Sequence, residues 1–334
     1  MSAQPLRIAI LGCGGIGARH AGAVAKLGDA VQLVGCVGRD AARTTAFAAT
    51  YGGAAFTDLD RMIDTVAPDL LIAALPPSVR DGEIEHAAAR GLHLLVEKPI
   101  ALTADKARSL VRAADAAGVK AAVGFMYRFG EAVQRWRALA ASGATGQVGM
   151  FAGSYHCNAL HAPWWRERAL SGGQTLEQVI HLIDLVRVFM GEPDTVYARG
   201  ARLFHGDVPR YDADDVSAII FGWDDGRIAT LNASNIAVPG KWQKEWRLMG
   251  ERYSARFDDW NNALLTRTAP DVAEEQVVGT RDPFVAQLAD LVDAIRNDRA
   301  PQAPLSEGAA SLRLALAACE AASQRREVRF DHAL

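Results

Sequence analysis

RIAILGCGGIGARHAGAVAKL, running from Arg7 to Leu27, reads as a buried strand, a glycine turn and a helix. Ile8, Ala9, Ile10 and Leu11 form the continuous apolar run of a parallel strand covered on both faces. The turn Gly12-Cys13-Gly14-Gly15-Ile16-Gly17 fits G-x-G-x-x-G. In that pattern Gly12 permits the tight turn, Gly14 lets the backbone approach a pyrophosphate, and Gly17 lets the helix pack closely on the strand. Phosphates would meet the free N–H groups and positive dipole end of the helix at Gly15 and Ile16. The five residues Gly12, Gly14, Gly15, Ile16 and Gly17 are therefore candidate dinucleotide contacts. Taken alone, six such residues also fit a glycine turn with no ligand.

Further strands follow at Val31–Val37, 54–58, 70–75, His93–Val96 and 119–124, alternating with helices that include Ala104–Ala117, which Thr103 can cap. This is the pattern of an N-terminal doubly wound Rossmann domain over residues 1–125. Leu75, Pro76 and Pro77 leave the fourth strand, and Glu97-Lys98-Pro99 leaves the fifth, at the carboxyl edge where such sheets bind ligands. Where an acid usually meets the adenosine ribose after strand two, this chain has Gly38 and Arg39, then Asp40 and Arg43. A guanidinium can grip a 2′-phosphate that a carboxylate would repel, so NADP(H) is favoured, with NAD(H) possible through Asp40.

From Met126 the texture changes. A helix at Glu131–Ala141 precedes runs of alternating or aromatic character at 148–155, 195–203, 216–223, 227–234 and 242–257, and two more helices follow at 283–297 and 306–323. Strands in succession, joined by turns such as Asp224-Asp225-Gly226, predict a C-terminal α+β domain over residues 126–334 with a largely antiparallel open sheet.

With 36 Lys and Arg against 39 Asp and Glu, the net charge is -3, which supplies no basic field for nucleic acid. No apolar run approaches the roughly 20 residues that span a bilayer, and the first strand begins without a charged-then-apolar leader. A cytoplasmic chain is expected. Cys13, Cys36, Cys157 and Cys319 form no C-x-x-C pair, so buried reduced thiols are expected.

The second domain's chemistry centres on Ser171-Gly172-Gly173-Gln174-Thr175-Leu176-Glu177-Gln178-Val179-Ile180-His181-Leu182-Ile183-Asp184. Helical spacing puts Glu177, His181 and Asp184 on one face. A carboxylate one turn from a histidine orients the imidazole and raises its basicity, which suits a proton shuttle. The same spacing fits a solvated face with an ion pair. It also fits a metal, but one helix gives few ligands and no H-E-x-x-H appears, so no metal is expected. Lys98, at a strand mouth, is either solvated or a proton acceptor and alcohol-orienting donor.

These motifs, together with Pro76-Pro77, Tyr127-Arg128-Phe129 and Trp165-Arg166, resemble the glucose-fructose oxidoreductase and inositol dehydrogenase family (Gfo/Idh/MocA) over essentially the whole chain. The resemblance implies a nicotinamide oxidoreductase acting on a secondary alcohol or ketone of a sugar, cyclitol or related polyol. It maps the family's lysine and Asp-x-x-x-His pair onto Lys98, Glu177 and His181, and the cofactor edge onto Glu97, Lys98, Trp165 and Arg166. It also implies a cis Lys98–Pro99 bond. Arg128, Tyr155, His156, Trp164 and Asp184 are the candidate substrate contacts, since rings beside polar groups suit a sugar's apolar faces and hydroxyl rim. Three positions depart from the usual pattern: Glu177 replaces aspartate, Arg80 stands where histidine often follows the prolines, and Gln174 replaces a third glycine. A homodimer or homotetramer through the second sheet is expected. Two alternatives remain: transient oxidation serving glycoside elimination, and a nucleotide-sensing regulator without catalysis.

Overall fold

The computed structural model describes residues 4–158 and 162–330, which form two compact units. One comprises the chain up to Met126 together with Asp282–Ala309; the other comprises Tyr127–Arg281 and the chain from Ala310 on.

In the first unit, β1 (Leu6–Leu11), β2 (Val31–Val37), β3 (Ala54–Phe56), β4 (Leu70–Ala73), β5 (His93–Val96) and β6 (Ala121–Val123) form one sheet in the order β3-β2-β1-β4-β5-β6. All its pairings are parallel, as the apolar runs predict. Ile8, Ile10, Leu70, Ile72, Leu94 and Leu95 are wholly buried because helices cover both faces. Asp40, Asp58 and Thr103 cap three of those helices by accepting from the backbone N–H three residues on. The strand order reverses between β1 and β4, so their carboxyl ends frame the switch point.

A division at residue 125 does not describe the carboxyl-terminal part of the chain. The helix Pro283–Arg296 belongs to the first unit, where Phe284, Leu288, Leu291 and Val292 join the core of Ile8, Ile10, Ala21 and Val24. Those four positions fall on one helical stripe, and Gln287 Nε2 beside them donates to the Val123 carbonyl at 2.8 Å.

The described residues of the second unit form a sheet in the order β14-β13-β12-β11-β7-β10-β9-β8-β15. Its strands are β7 (Val148–His156), β8 (Thr195–Ala201), β9 (Val216–Gly222), β10 (Ile228–Ser234), β11 (Gln243–Gly250), β12 (Tyr253–Phe257), β13 (Asn262–Arg267), β14 (Ala273–Val278) and β15 (Val328–Arg329). It is antiparallel except where β7 meets β10. The run 242–257 is two strands that reverse at Glu251–Arg252, without an Asn-Gly or Asp-Gly signal to mark the turn. β13 and β14 are additional strands. Ala273–Val278 carries Glu274 and Glu275 on an edge with no fully buried position, so alternation does not reveal it.

Phe151, Gly153 and Tyr155 alternate onto the face of β7 beneath the helix Ile180–Met190. A Cβ at Gly153 would come within 3.3 Å of Leu182 Cδ1, so the helix lies close. On the opposite face Met150, Ile220, Ile228 and Met249 remain 44–47 % exposed.

Candidate active site

The glycine turn fits a dinucleotide. Gly12 has φ +107°, and a Cβ there would meet the Ala74 carbonyl oxygen at 2.6 Å; one on Gly17 would meet the Gly12 oxygen at 2.1 Å. Gly14 and Gly15 instead face open space, with nothing within 4 Å of an added Cβ. The helix Gly15–Lys26 begins there with no side-chain cap, and Ile16 beside it is exposed. Uncapped N–H groups facing open space are what a pyrophosphate needs.

Gly38 is enforced by packing, since a Cβ would lie 2.5 Å from Thr44 Oγ1. Arg39 beside it is exposed, while the Asp40 carboxylate accepts from the Arg43 N–H at 3.0 Å as a helix cap. One oxygen of this exposed acid is thus taken up by the cap, and the other is free of it.

Leu75 and Pro76 are half-buried and Pro77 is buried at the end of β4; Lys98 is half-buried after β5, and its bond to Pro99 is cis. Glu97 is buried and accepts from His20 Nε2 at 2.8 Å. Burial would raise the Glu97 carboxyl, but the His20 hydrogen bond and the Lys98 and Arg80 charges hold it below its ordinary value. We assign the Nε2–H tautomer to His20 because an ionised Glu97 can only accept.

In the second unit the helical segment bearing His181 starts with a π-type turn over Thr175–Val179, then runs as an α-helix over Ile180–Met190. Such turns recur at functional sites because they re-phase the side chains that follow. His181 stacks on Tyr127, with centroids 4.3 Å apart and planes within 14°. Tyr127 stacks in turn on Trp260 at 4.7 Å. The Tyr127 and Tyr155 hydroxyls are hydrogen-bonded to each other, and Glu177 is close enough to act on both phenols. Burial first, and the Glu177 charge besides, push both tyrosines well above their ordinary values. Burial and Glu177 push the neighbouring Cys157 thiol up to about 12 against the opposing Lys244 charge. These groups stay protonated near neutral pH, so none of them is a base there.

Lys244 was not singled out from the sequence. Its ammonium lies 5.0–5.7 Å from the ring centroids of Trp260, Trp242, Tyr155 and Tyr127, within cation–π range of four faces. Trp242, Lys244, Asp258, Asp259 and Trp260 line a cleft of about 310 Å³. Lysine two residues after tryptophan, where one strand begins, was the available signal, but the cage is visible only once four segments meet.

Trp165 joins this group edge-on to Trp242 at 5.7 Å, with Trp164 beside it, and Arg166 is half-buried in the same turn. Two expected substrate contacts are bound to each other: Arg128 Nε and Nη2 donate to the Asp184 carboxylate at 2.8 and 2.6 Å, both side chains buried. His156 is one residue beyond Tyr155 and so points to the other face of the sheet, where its ring pairs with Asn232 at 2.8 Å. The structure separates it from the His181 group. Among the described residues no three His, Cys, Asp or Glu side chains converge as metal ligands, and no helix is long and apolar enough to cross a membrane.

Comparison with known proteins agrees with this geometry. Residues 6–125 match the oxidoreductase family with an NAD-binding Rossmann fold, and residues 133–256 match the GFO/IDH/MocA C-terminal domain. The chain is 26 % identical over 300 residues to dTDP-3,4-didehydro-2,6-dideoxy-alpha-D-glucose 3-reductase of Streptomyces violaceoruber, covering 88 % of this chain and 86 % of the relative. It is 26 % identical over 322 residues to inositol 2-dehydrogenase of Rubrobacter xylanophilus, covering 92 % and 88 %. Levoglucosan dehydrogenase, solved in complex with NADH and levoglucosan, superposes with a TM-score of 0.90 at 18 % identity, covering 98 % of this chain and 99 % of that one. Both halves of the sequence match consecutive parts of one family, and the chain belongs to it: the Gfo/Idh/MocA family of NAD-binding oxidoreductases.

Proposed function

We propose that the protein interconverts a secondary alcohol and a ketone on a sugar, cyclitol or related polyol. A bound nicotinamide dinucleotide supplies the hydride acceptor or donor. The glycine turn and uncapped helix hold its phosphates, Lys98 polarises the substrate oxygen, and an imidazole nitrogen of His181, with Glu177 supporting its basicity, takes or returns the hydroxyl proton. Trp164, Trp165, Arg166 and Tyr155 serve the bound molecules, whereas Arg128 and Asp184 brace the helix. The observation that carries this reading is the His181 imidazole stacked on Tyr127 with centroids 4.3 Å apart, beside two phenols and a thiol that burial keeps protonated. The relatives' names support the substrate class, since they are a sugar-nucleotide reductase and an inositol dehydrogenase. Free thiols at Cys13, Cys36, Cys157 and Cys319 support a reducing compartment such as the cytoplasm.

Within that reading NADP(H) is the preferred cofactor, because Gly38 excludes an acid and Arg39 stands exposed beside it. A panel of sugars, cyclitols and their keto forms, assayed by nicotinamide absorbance with both cofactors, tests reaction and preference together. The expected result is turnover with a higher kcat/KM for NADP(H), lost in Arg39→Ala. An NAD preference that survives Arg39→Ala refutes the cofactor assignment, and absence of turnover across the panel refutes the substrate class.

The outer face of the second sheet is proposed as a homo-oligomer contact. Met150 is opposite Ile228 on one side and Met249 on the other, with Ile220 nearby, so the exposed apolar side chains run across neighbouring strands. Sedimentation at micromolar concentration should give a dimer or tetramer, and Met150→Lys should shift it towards monomer; a strictly monomeric wild type rules the contact out.

A further inference from the structure

Arg80, a departure from the family pattern, is 4 % exposed, and its guanidinium bridges two segments. Nη1 donates to the Pro99 carbonyl at 2.5 Å and Nη2 to the Leu75 carbonyl at 2.6 Å. Leu75 follows Ala74, whose N–H donates to Leu11 at 2.8 Å and whose carbonyl lies against Gly12. In the other direction, Pro99 follows Lys98 and Glu97. The Glu97 carboxylate accepts from the Lys98 N–H at 3.2 Å and from His20 at 2.8 Å. His20 is wholly buried on the helix that the glycine turn opens. The contacts thus run from the turn to the end of β4, through Arg80 to the segment bearing Lys98, and through Glu97 back to the turn's own helix.

We propose that Arg80 is a positioning residue that closes this ring of contacts and so fixes Lys98 and the glycine turn in one geometry. The inference rests on the dehydrogenase reading for what that geometry serves. Two diverging carbonyls need the planar guanidinium fork, which a lysine ammonium does not reproduce. Gly124 walls in the other side, since a Cβ there would lie 2.8 Å from Glu97 Oε2. Burial lowers the Arg80 pKa to about 10 while Glu97 supports its charge, so it remains a cation near neutral pH.

Hydrogen exchange on the full chain, read peptide by peptide, tests this in Arg80→Gln and Arg80→Lys. Arg80→Gln should speed exchange about tenfold or more in peptides covering residues 74–76 and 98–101, with distant strands of the same sheet unchanged. Arg80→Lys should recover part of the protection. In parallel, Arg80→Gln should lower kcat about tenfold and weaken NADH binding, read by fluorescence, while the KM for the polyol changes little. Unchanged exchange in both segments, or acceleration spread evenly over the sheet, overturns the proposal. If Arg80→Gln does not fold, the same two outcomes in Arg80→Lys decide. A wild type that neither binds nicotinamide nor turns over defeats the functional reading, while the exchange pattern still decides whether Arg80 holds the ring.

Discussion

His181→Ala is expected to lower kcat by a factor on the order of 10² or more, the usual scale for a positioned proton-transfer group, while NADH affinity stays nearly unchanged. Three neighbouring groups are not bases near neutral pH. Tyr127 and Tyr155 are held protonated by burial, and the Cys157 thiol is pushed up to about 12. With the roles proposed above, Lys98→Ala should cost a similar factor, and the double variant much less than the product of the two losses, as groups that act as one unit do. Glu177→Gln should keep the fold but move the pH–rate profile as well as its height. Steady-state kinetics with fluorescence titration of NADH separates these effects. Near-normal turnover in His181→Ala would make the stacked imidazole structural and send the proton elsewhere.

The second large effect concerns stability. Asp184→Ala should destabilise the protein by about 3–5 kcal/mol, the range for removing one partner of a buried ion pair. The Arg128 and Asp184 side chains are 5 % and 1 % exposed, and Ser311 Oγ also donates to the carboxylate at 3.1 Å. Truncation leaves a guanidinium buried without its counter-charge. Replacing both partners together, Arg128→Met with Asp184→Leu, should recover part of the loss, since the Arg128 charge goes with its partner while Arg187, 4.0 Å from the same carboxylate, keeps Glu192. Urea unfolding followed by tryptophan fluorescence measures both. A loss below about 1 kcal/mol in Asp184→Ala would mean that water reaches the site and that the pair is not a buried strut.

How much of this was legible in the sequence varies with what each residue's neighbours are. Ile8 to Leu11 and Leu70 to Ala73 are apolar at every position, so their burial on two faces could be read directly. Ala273 to Val278 could not, because an edge strand need bury nothing. Spacing placed Glu177, His181 and Asp184 on one helix face but did not name their partners. Asp184 meets Arg128 while His181 meets Tyr127, the adjacent residue of the same short turn. Trp242 and Lys244 read as part of a strand run, and Arg80 only as a departure from the family pattern. Their settings are made by segments far apart in the chain, and residue type and local period carry no record of that.

The helix Pro283–Arg296 has a consequence for how the protein is made. The parallel sheet of the first unit is complete in sequence by Val123, yet Phe284, Leu288, Leu291 and Val292 of its core lie more than 150 residues downstream. At about 5–20 residues per second of synthesis, that sheet waits on the order of ten seconds or more with part of its apolar surface uncovered. A nascent chain in this interval is exposed to chaperones and to wrong pairings. The first unit to be synthesised is thus finished only after Tyr127–Arg281 of the second has been made, and a cut between Met126 and Tyr127 would release the sheet without that covering helix.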